Sequence, residues 1–119
     1  MSYIDGFVIP LPADKIDEYR RIATLAGQVW RDHGALDYVE CVADDVKPGE
    51  FTSFPQSVKL EAGEIVVFSW IRYESREHRD QVNEAVMKDP RLAEMMNPEA
   101  MPFDGKRMIY GGFKLLVQV

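Results

Sequence analysis

Cysteine is almost missing from this chain: Cys41 stands alone, so no internal disulfide can form and a reducing, cytoplasmic setting is expected. Histidine is nearly as scarce. His33 and His78 lie far apart and show neither His-x-x-x-His nor His-x-His spacing, so no metal site and no cofactor are expected. Basic charge is in deficit, with 14 Lys and Arg against 20 Asp and Glu, a net charge of −6. Nucleic-acid binders carry a basic face that neutralises phosphates, and here the cations are interleaved with acids, as in Glu74-Ser-Arg-Glu-His-Arg-Asp80. No nucleic-acid partner is expected. No apolar run reaches the roughly 20 residues that span a bilayer. The N-terminus has neither a basic segment nor an apolar core of the signal-peptide kind. No membrane partner is expected.

What is present suits one domain over residues 1–119. The chain is 46% hydrophobic, and its length suffices for one core without a staple. Tyr3 to Ile9 is rich in aromatic and β-branched residues and predicts a strand, ended by Pro10 and Pro12. Asp14 is the expected cap of a helix on which Ile16, Tyr19, Ile22, Ala23, Ala26 and Trp30 recur at helical spacing, with Gly34 as its stop. Leu36 to Val46 predicts a second strand. A long loop over 47–62 follows, with a helical turn near Pro55 to Leu60. Glu64 to Tyr73 is the strongest strand. Ser75 caps a helix to Lys88, and Asp89-Pro90 restarts a short helix through Met96. The last strand lies near Met108 to Val117. The order β-α-β-β-α-β is the ferredoxin-like, split βαβ plan, an α+β fold with a four-stranded antiparallel sheet.

The third strand breaks the apolar-in, polar-out alternation expected of a sheet with one wet face. One face carries Ile65, Val67, Ser69 and Ile71, the other Val66, Phe68, Trp70 and Arg72. Helices cover one face only, so a second copy of the chain is expected to cover the other, giving a homodimer with sheets face to face. The tail Met101-Pro-Phe-Asp-Gly-Lys-Arg-Met-Ile-Tyr-Gly-Gly-Phe113 packs turn formers, aromatics and charges into a few residues. Phe103-Asp-Gly105 signals a turn, and Gly111-Gly112 a bulge or a close backbone approach.

Several segments together carry a family resemblance: Ala35-Leu-Asp-Tyr-Val-Glu-Cys41, Val66-Val-Phe-Ser-Trp70, Ser75-Arg-Glu-His-Arg-Asp80, Asp89-Pro-Arg91 and Met101-Pro-Phe-Asp-Gly-Lys-Arg-Met108. Over essentially its whole length the chain resembles the DUF1428, or YbaA-like, bacterial proteins. The resemblance implies a dimeric α+β barrel, the superfamily of antibiotic-biosynthesis-type monooxygenases and muconolactone isomerases. It brings no catalytic motif with it.

A barrel of this kind can hold a pocket between sheet and helices, mainly apolar with a few convergent polar groups. The candidates are Tyr38, Glu40, Trp70, Arg72, His33, His78, Asp104, Arg107 and Tyr110. Glu40, His78 and Trp70 are the catalytic candidates; Tyr38, Arg72, Asp104, Arg107 and Tyr110 are the ligand-binding ones. Glu40 shares a strand face with Tyr38 and Val42, so it needs a partner if buried, with Arg72 or Arg107 available; otherwise it is a general base. His33 reads chiefly as a helix-end group and His78 as a surface or interface group. Trp70 reads chiefly as core, and Cys41, on the opposite face from Glu40, as a small core residue. Trp70, Asn83 and His78 offer the residue types that cofactor-independent oxygenases use. The methionines read as flexible packing. The first reading is a small-molecule-binding barrel for an apolar or aromatic ligand, acting as a cofactor-independent oxygenase or an isomerase. The alternative is a non-catalytic homodimeric interaction or stress-response protein.

Overall fold

The computed structural model describes residues 2–95, 97 and 101–119. Strand β1 (Tyr3–Pro12) is followed by a 3-10 turn (Ala13–Lys15) and helix α1 (Ile16–Asp32). Then come β2 (Asp37–Val42), the short α2 (Phe54–Ser57), β3 (Glu64–Tyr73), α3 (Arg76–Met87), α4 (Pro90–Met95) and β4 (Ile109–Lys114). The sheet order is β2-β3-β1-β4 with antiparallel neighbours throughout, which is the ferredoxin-like topology.

Several boundaries differ from the expectation for physical reasons. β1 does not stop at Ile9. It continues through Pro10, opposite Val66, and Pro12, opposite Glu64. Its pairing with β4 ends at Val8, so beyond that point β1 has a partner on one side only. Two prolines of the same parity leave their missing donors on the open side, where no ladder is lost. Asp14 falls inside the 3-10 turn and does not cap α1. β2 ends at Val42, and β4 begins at Ile109 and ends at Lys114, both shorter than the apolar pattern suggested. Ser75 does cap α3, accepting the His78 amide at 3.0 Å. Met96 lies outside the described residues.

Strand parity sorts the side chains. Ile9, Leu11, Val67, Ile71 and Tyr73 face the helices and pack with Tyr19, Ala23, Val29, Val82, Val86 and Leu92 in two clusters. The opposite face carries Val8 and Val66, and the long loop folds back over them through Val58, Ala43 and Leu60. Phe54 of α2 meets Phe68 edge-on, ring centroids 6.0 Å apart. The chain therefore covers one end of its own outer face. The rest of that face stays open: Phe113 is 64% exposed, with Phe68 and Ile109 also exposed. Cys41 was expected in the core, but its strand parity turns it to this outer face, where it is exposed.

No bulge occurs at Gly111-Gly112: β4 pairs with β1 in unbroken register from Tyr3↔Lys114 to Val8↔Ile109. The glycine at 112 answers a close approach instead. A Cβ there would overlap the Tyr3 hydroxyl and sit 2.8 Å from its ring. The Tyr3 ring lies under Arg79, 5.0 Å from guanidinium to centroid, so it cannot swing aside freely. Gly112→Ala is expected to cost about 1–2 kcal/mol by overpacking. Urea unfolding measures this, and an unchanged midpoint would mean that Tyr3 is free to move.

Candidate functional site

A cavity of about 500 Å3 lies between the helix-side face of the sheet and the helices. Its walls are apolar and aromatic: Phe7, Ile71, Trp30 and Leu92, with Met87, Met95 and Met101 around them. Phe103 and Met108, from the segment between α4 and β4, close one end. Polar groups enter from the strands and from α3: Asp5, Glu40, Ser69, Tyr38, Asn83 and Arg79. The pairing register explains their convergence. Glu40 lies opposite Ser69, and Ser69 opposite Phe7, while Tyr38, Ile71 and Asp5 form the next row.

Glu40 is bracketed by two phenols. Tyr19 donates to Oε1 at 2.7 Å and Tyr38 to Oε2 at 2.9 Å. Ser69 bonds the same carboxylate. Burial raises the Glu40 pKa despite those three hydrogen bonds, and no cation among the described residues offsets it. Burial and the neighbouring Glu40 push both tyrosines far above the ordinary phenol range, so they remain proton donors to it. Tyr38 reaches this position because Gly27, inside α1, leaves room for its ring: a Cβ at Gly27 would stand 2.8 Å from Tyr38 Cδ1. On the other side of this Tyr19–Glu40–Tyr38 partition runs a second, more open groove between α1 and β2, lined by Arg20, Gln28, Arg31 and Val42.

Asp5 is a different kind of group. Arg79 donates to it at 2.7 Å and Asn83 also hydrogen-bonds it, with the Tyr73 hydroxyl alongside. Asn83 in turn accepts from the Trp30 indole at 3.1 Å and from the Tyr73 hydroxyl at 3.2 Å. Burial still outweighs these donors and leaves the Asp5 pKa raised. The network ties β1, β3, α1 and α3 together beneath the cavity.

The candidates named from sequence are divided by this geometry. Tyr38, Glu40 and Tyr110 line the cavity, Tyr110 stacking on Phe7 at 6.1 Å. Trp70 does not: it pairs with Gly6 and Val39 and lies on the outer face. Arg72 shares that face, where it bonds Asp37 and Ser2. Glu40 therefore has tyrosines as partners, not Arg72 or Arg107. His78 accepts the Glu74 amide on Nδ1 at 3.0 Å and meets the Tyr73 ring edge-on, outside the cavity. His33 closes α1 and places Nε2 2.8 Å from Asp89, which Arg91 also holds. The grouping of Trp70, Asn83 and His78 does not form; Asn83 has Trp30 as its indole partner. Tyr19, Asp5 and Trp30 were not marked in the sequence as site residues. Helical spacing identified Tyr19 and Trp30 only as core, and Asp5 sits in a strand with no local motif. Among the described residues, no group of three or more His, Cys, Asp or Glu is placed to hold a metal ion.

Arg107 and Asp104 act at the cavity's edge without lining it. Arg107 makes a bidentate pair with Glu64, both contacts 2.7 Å, and bonds Asp104 at 3.1 Å. It thereby pins the segment bearing Phe103 and Met108 to the start of β3. Arg107 holds the Glu64 pKa below its ordinary value near 4.5. A lowered folded pKa gives stability that is present above the unfolded value and lost as pH falls through the folded one. The native Tm should therefore fall more steeply than that of Arg107→Gln between about pH 5 and about pH 3. Parallel Tm–pH curves would contradict this role for the pair.

The match to known proteins agrees with this frame. The model of the DUF1428 family, described as a protein of unknown function, matches residues 2–105. The uncharacterised protein YbaA of Escherichia coli (strain K12) is 53% identical over 117 residues, covering 98% of each chain. The YbaA protein of Shigella flexneri matches to the same extent. A crystal structure of an uncharacterised NIPSNAP domain protein from Burkholderia xenovorans superposes with a TM-score of 0.57 at 14% identity. It covers 96% of this chain and 94% of that one, a likeness of fold.

Proposed function

The chain belongs to the DUF1428 family, and we propose that it is a small-molecule-binding protein whose ligand, largely apolar and aromatic, occupies the cavity between sheet and helices. The observation that carries this reading is the cavity itself: about 500 Å3, aromatic-walled, with Glu40 held in its floor by two tyrosines. Ligand sites are typically apolar clefts of this size with a few placed polar groups. Glu40 equips the site for proton transfer, the step that an isomerase requires. Oxygenation of the kind that uses Asn, Trp and His together finds less support, since Trp70 and His78 lie elsewhere.

Filling the space tests the reading. Ala26 lines the cavity from α1. Aromatic compounds that raise the Tm of the native protein should lose that effect with Ala26→Trp, if the variant's own Tm stays near native. Stabilisation that persists in the filled variant would place the ligand elsewhere and overturn the assignment.

We propose also that the open part of the outer sheet face is covered by a second copy of the chain. Phe68, Ile109 and Phe113 are exposed there, with the Arg72–Asp37 ion pair at the β2 side of the face, and the exposed tail residues Leu116 and Val117 come soon after β4. Clusters of exposed large apolar side chains mark interaction sites. Sheet faces self-complement in an isologous pair, so one surface serves both partners. The arrangement closes two four-stranded sheets into a barrel and leaves the helix-side cavities free.

A further inference from the structure

Two carboxylates reach the cavity, and they differ in what balances them. Asp5 is neutralised by Arg79 at 2.7 Å, and Asn83 also hydrogen-bonds it. Among the described residues Glu40 has no cationic partner. Its hydrogen bonds come from three neutral hydroxyls, those of Tyr19, Tyr38 and Ser69. The basic residues nearby in the fold are spent. Arg20 and Arg31 line the groove on the other side of the partition, where Arg20 pairs with Asp17 and Arg31 bonds the Ala35 and Leu36 carbonyls. Arg79 divides its guanidinium between Asp5 and Asp80.

An ionised carboxylate in an apolar cavity with no counter-charge is expensive, and an opposite charge brought within contact relieves that cost. The surroundings favour the same sign of ligand. Trp30 and Tyr38, ring centroids 6.1 Å apart, and the stacked pair Phe7 and Tyr110 present aromatic rings to the cavity, and ring faces attract cations. The chain's net charge of −6 draws cations and repels anions before contact. We infer that the cavity selects a hydrophobic amine: an aromatic body held by the Phe7, Trp30 and Ile71 walls, carrying one protonated nitrogen addressed to Glu40. This inference rests on the cavity being the binding site and adds the charge of its occupant. The Glu40 carboxylate accepts from the ammonium while Tyr19 and Tyr38 hold its two oxygens in place.

Four probes that share a naphthalene body test it by calorimetry on the native protein: 2-(naphthalen-2-yl)ethylamine, the corresponding alcohol, the naphthalen-2-ylacetate anion and 2-ethylnaphthalene. The amine should bind at least about ten-fold more tightly than the alcohol, as expected for a hydrogen bond to a charged group. The carboxylate should bind most weakly of the four. In Glu40→Gln the amine's advantage over the alcohol should vanish while the affinity for 2-ethylnaphthalene is kept. An alcohol that matches the amine in the native protein would overturn the inference, as would a carboxylate that binds as well as the amine. Binding of 2-ethylnaphthalene without an amine preference defeats the inference alone. Failure of all four probes to bind defeats the cavity assignment with it. The ranking on native protein decides the matter even if the variant proves unstable.

Discussion

Asp5→Ala is expected to lower the stability of the protein by about 2 kcal/mol, because it removes the buried partner of Arg79 and leaves that guanidinium only the exposed Asp80 as counter-charge. Asp5 is only 6% exposed and sits in the middle of β1, between β3 and β4. Its loss strips Arg79 of its 2.7 Å contact and leaves the Asn83 amide without that acceptor. Each orphaned buried donor adds to the cost. The double variant Asp5→Ala/Arg79→Met should recover part of it, since removing both charges costs less than stranding one. Urea unfolding of the two single variants and the double variant gives the coupling directly. Additive losses would mean that the pair does not organise this end of the core.

Phe113→Asp should convert a species of twice 13.6 kDa into one of 13.6 kDa at micromolar concentration, with the fold intact. Phe113 is 64% exposed in the single chain, so a carboxylate there meets water in the monomer and costs little. In the proposed pair of sheets the same carboxylate is buried against apolar surface and faces its symmetry mate, which is strongly unfavourable. Light scattering reads the mass, and circular dichroism verifies the fold. A native protein that already scatters as a single chain would refute the pairing, and an unchanged mass in Phe113→Asp would move the interface elsewhere.

The sequence made the architecture legible because its signals are local. Ser75, Asp89-Pro90 and the apolar run Glu64 to Tyr73 act over a few residues, and each element appears where those signals put it. The continuation of β1 through Pro10 has no local signal, because the tolerance of a proline depends on whether the neighbouring strand extends that far, which is set by β4 about a hundred residues away. The two-faced apolar pattern of β3 was legible too. That part of it is covered by the loop bearing Val58 and Leu60 was not, since loop placement leaves no periodic trace.

The site was legible in halves. Glu40 and Tyr38 stand two apart on one strand, so their shared face follows from parity. Tyr19 joins them across the layer at 2.7 Å, a contact between helix and sheet that spacing alone does not encode. Residue type was a poor guide for Trp70 and His78. Trp30, with the same indole, is the one that reaches Asn83, because α1 and α3 pack over the same side of the sheet while Trp70 points away.

The two tryptophans make the central claim directly measurable, since Trp30 lines the cavity and Trp70 lies on the opposite face of the sheet. In a 15N-labelled sample their indole N–H groups give two resolved signals. Titration with 2-(naphthalen-2-yl)ethylamine should shift the Trp30 indole signal, whose proton is held by Asn83 at the cavity wall, and leave that of Trp70 in place. A shift confined to Trp70, or none at either signal under saturating ligand, would contradict the account.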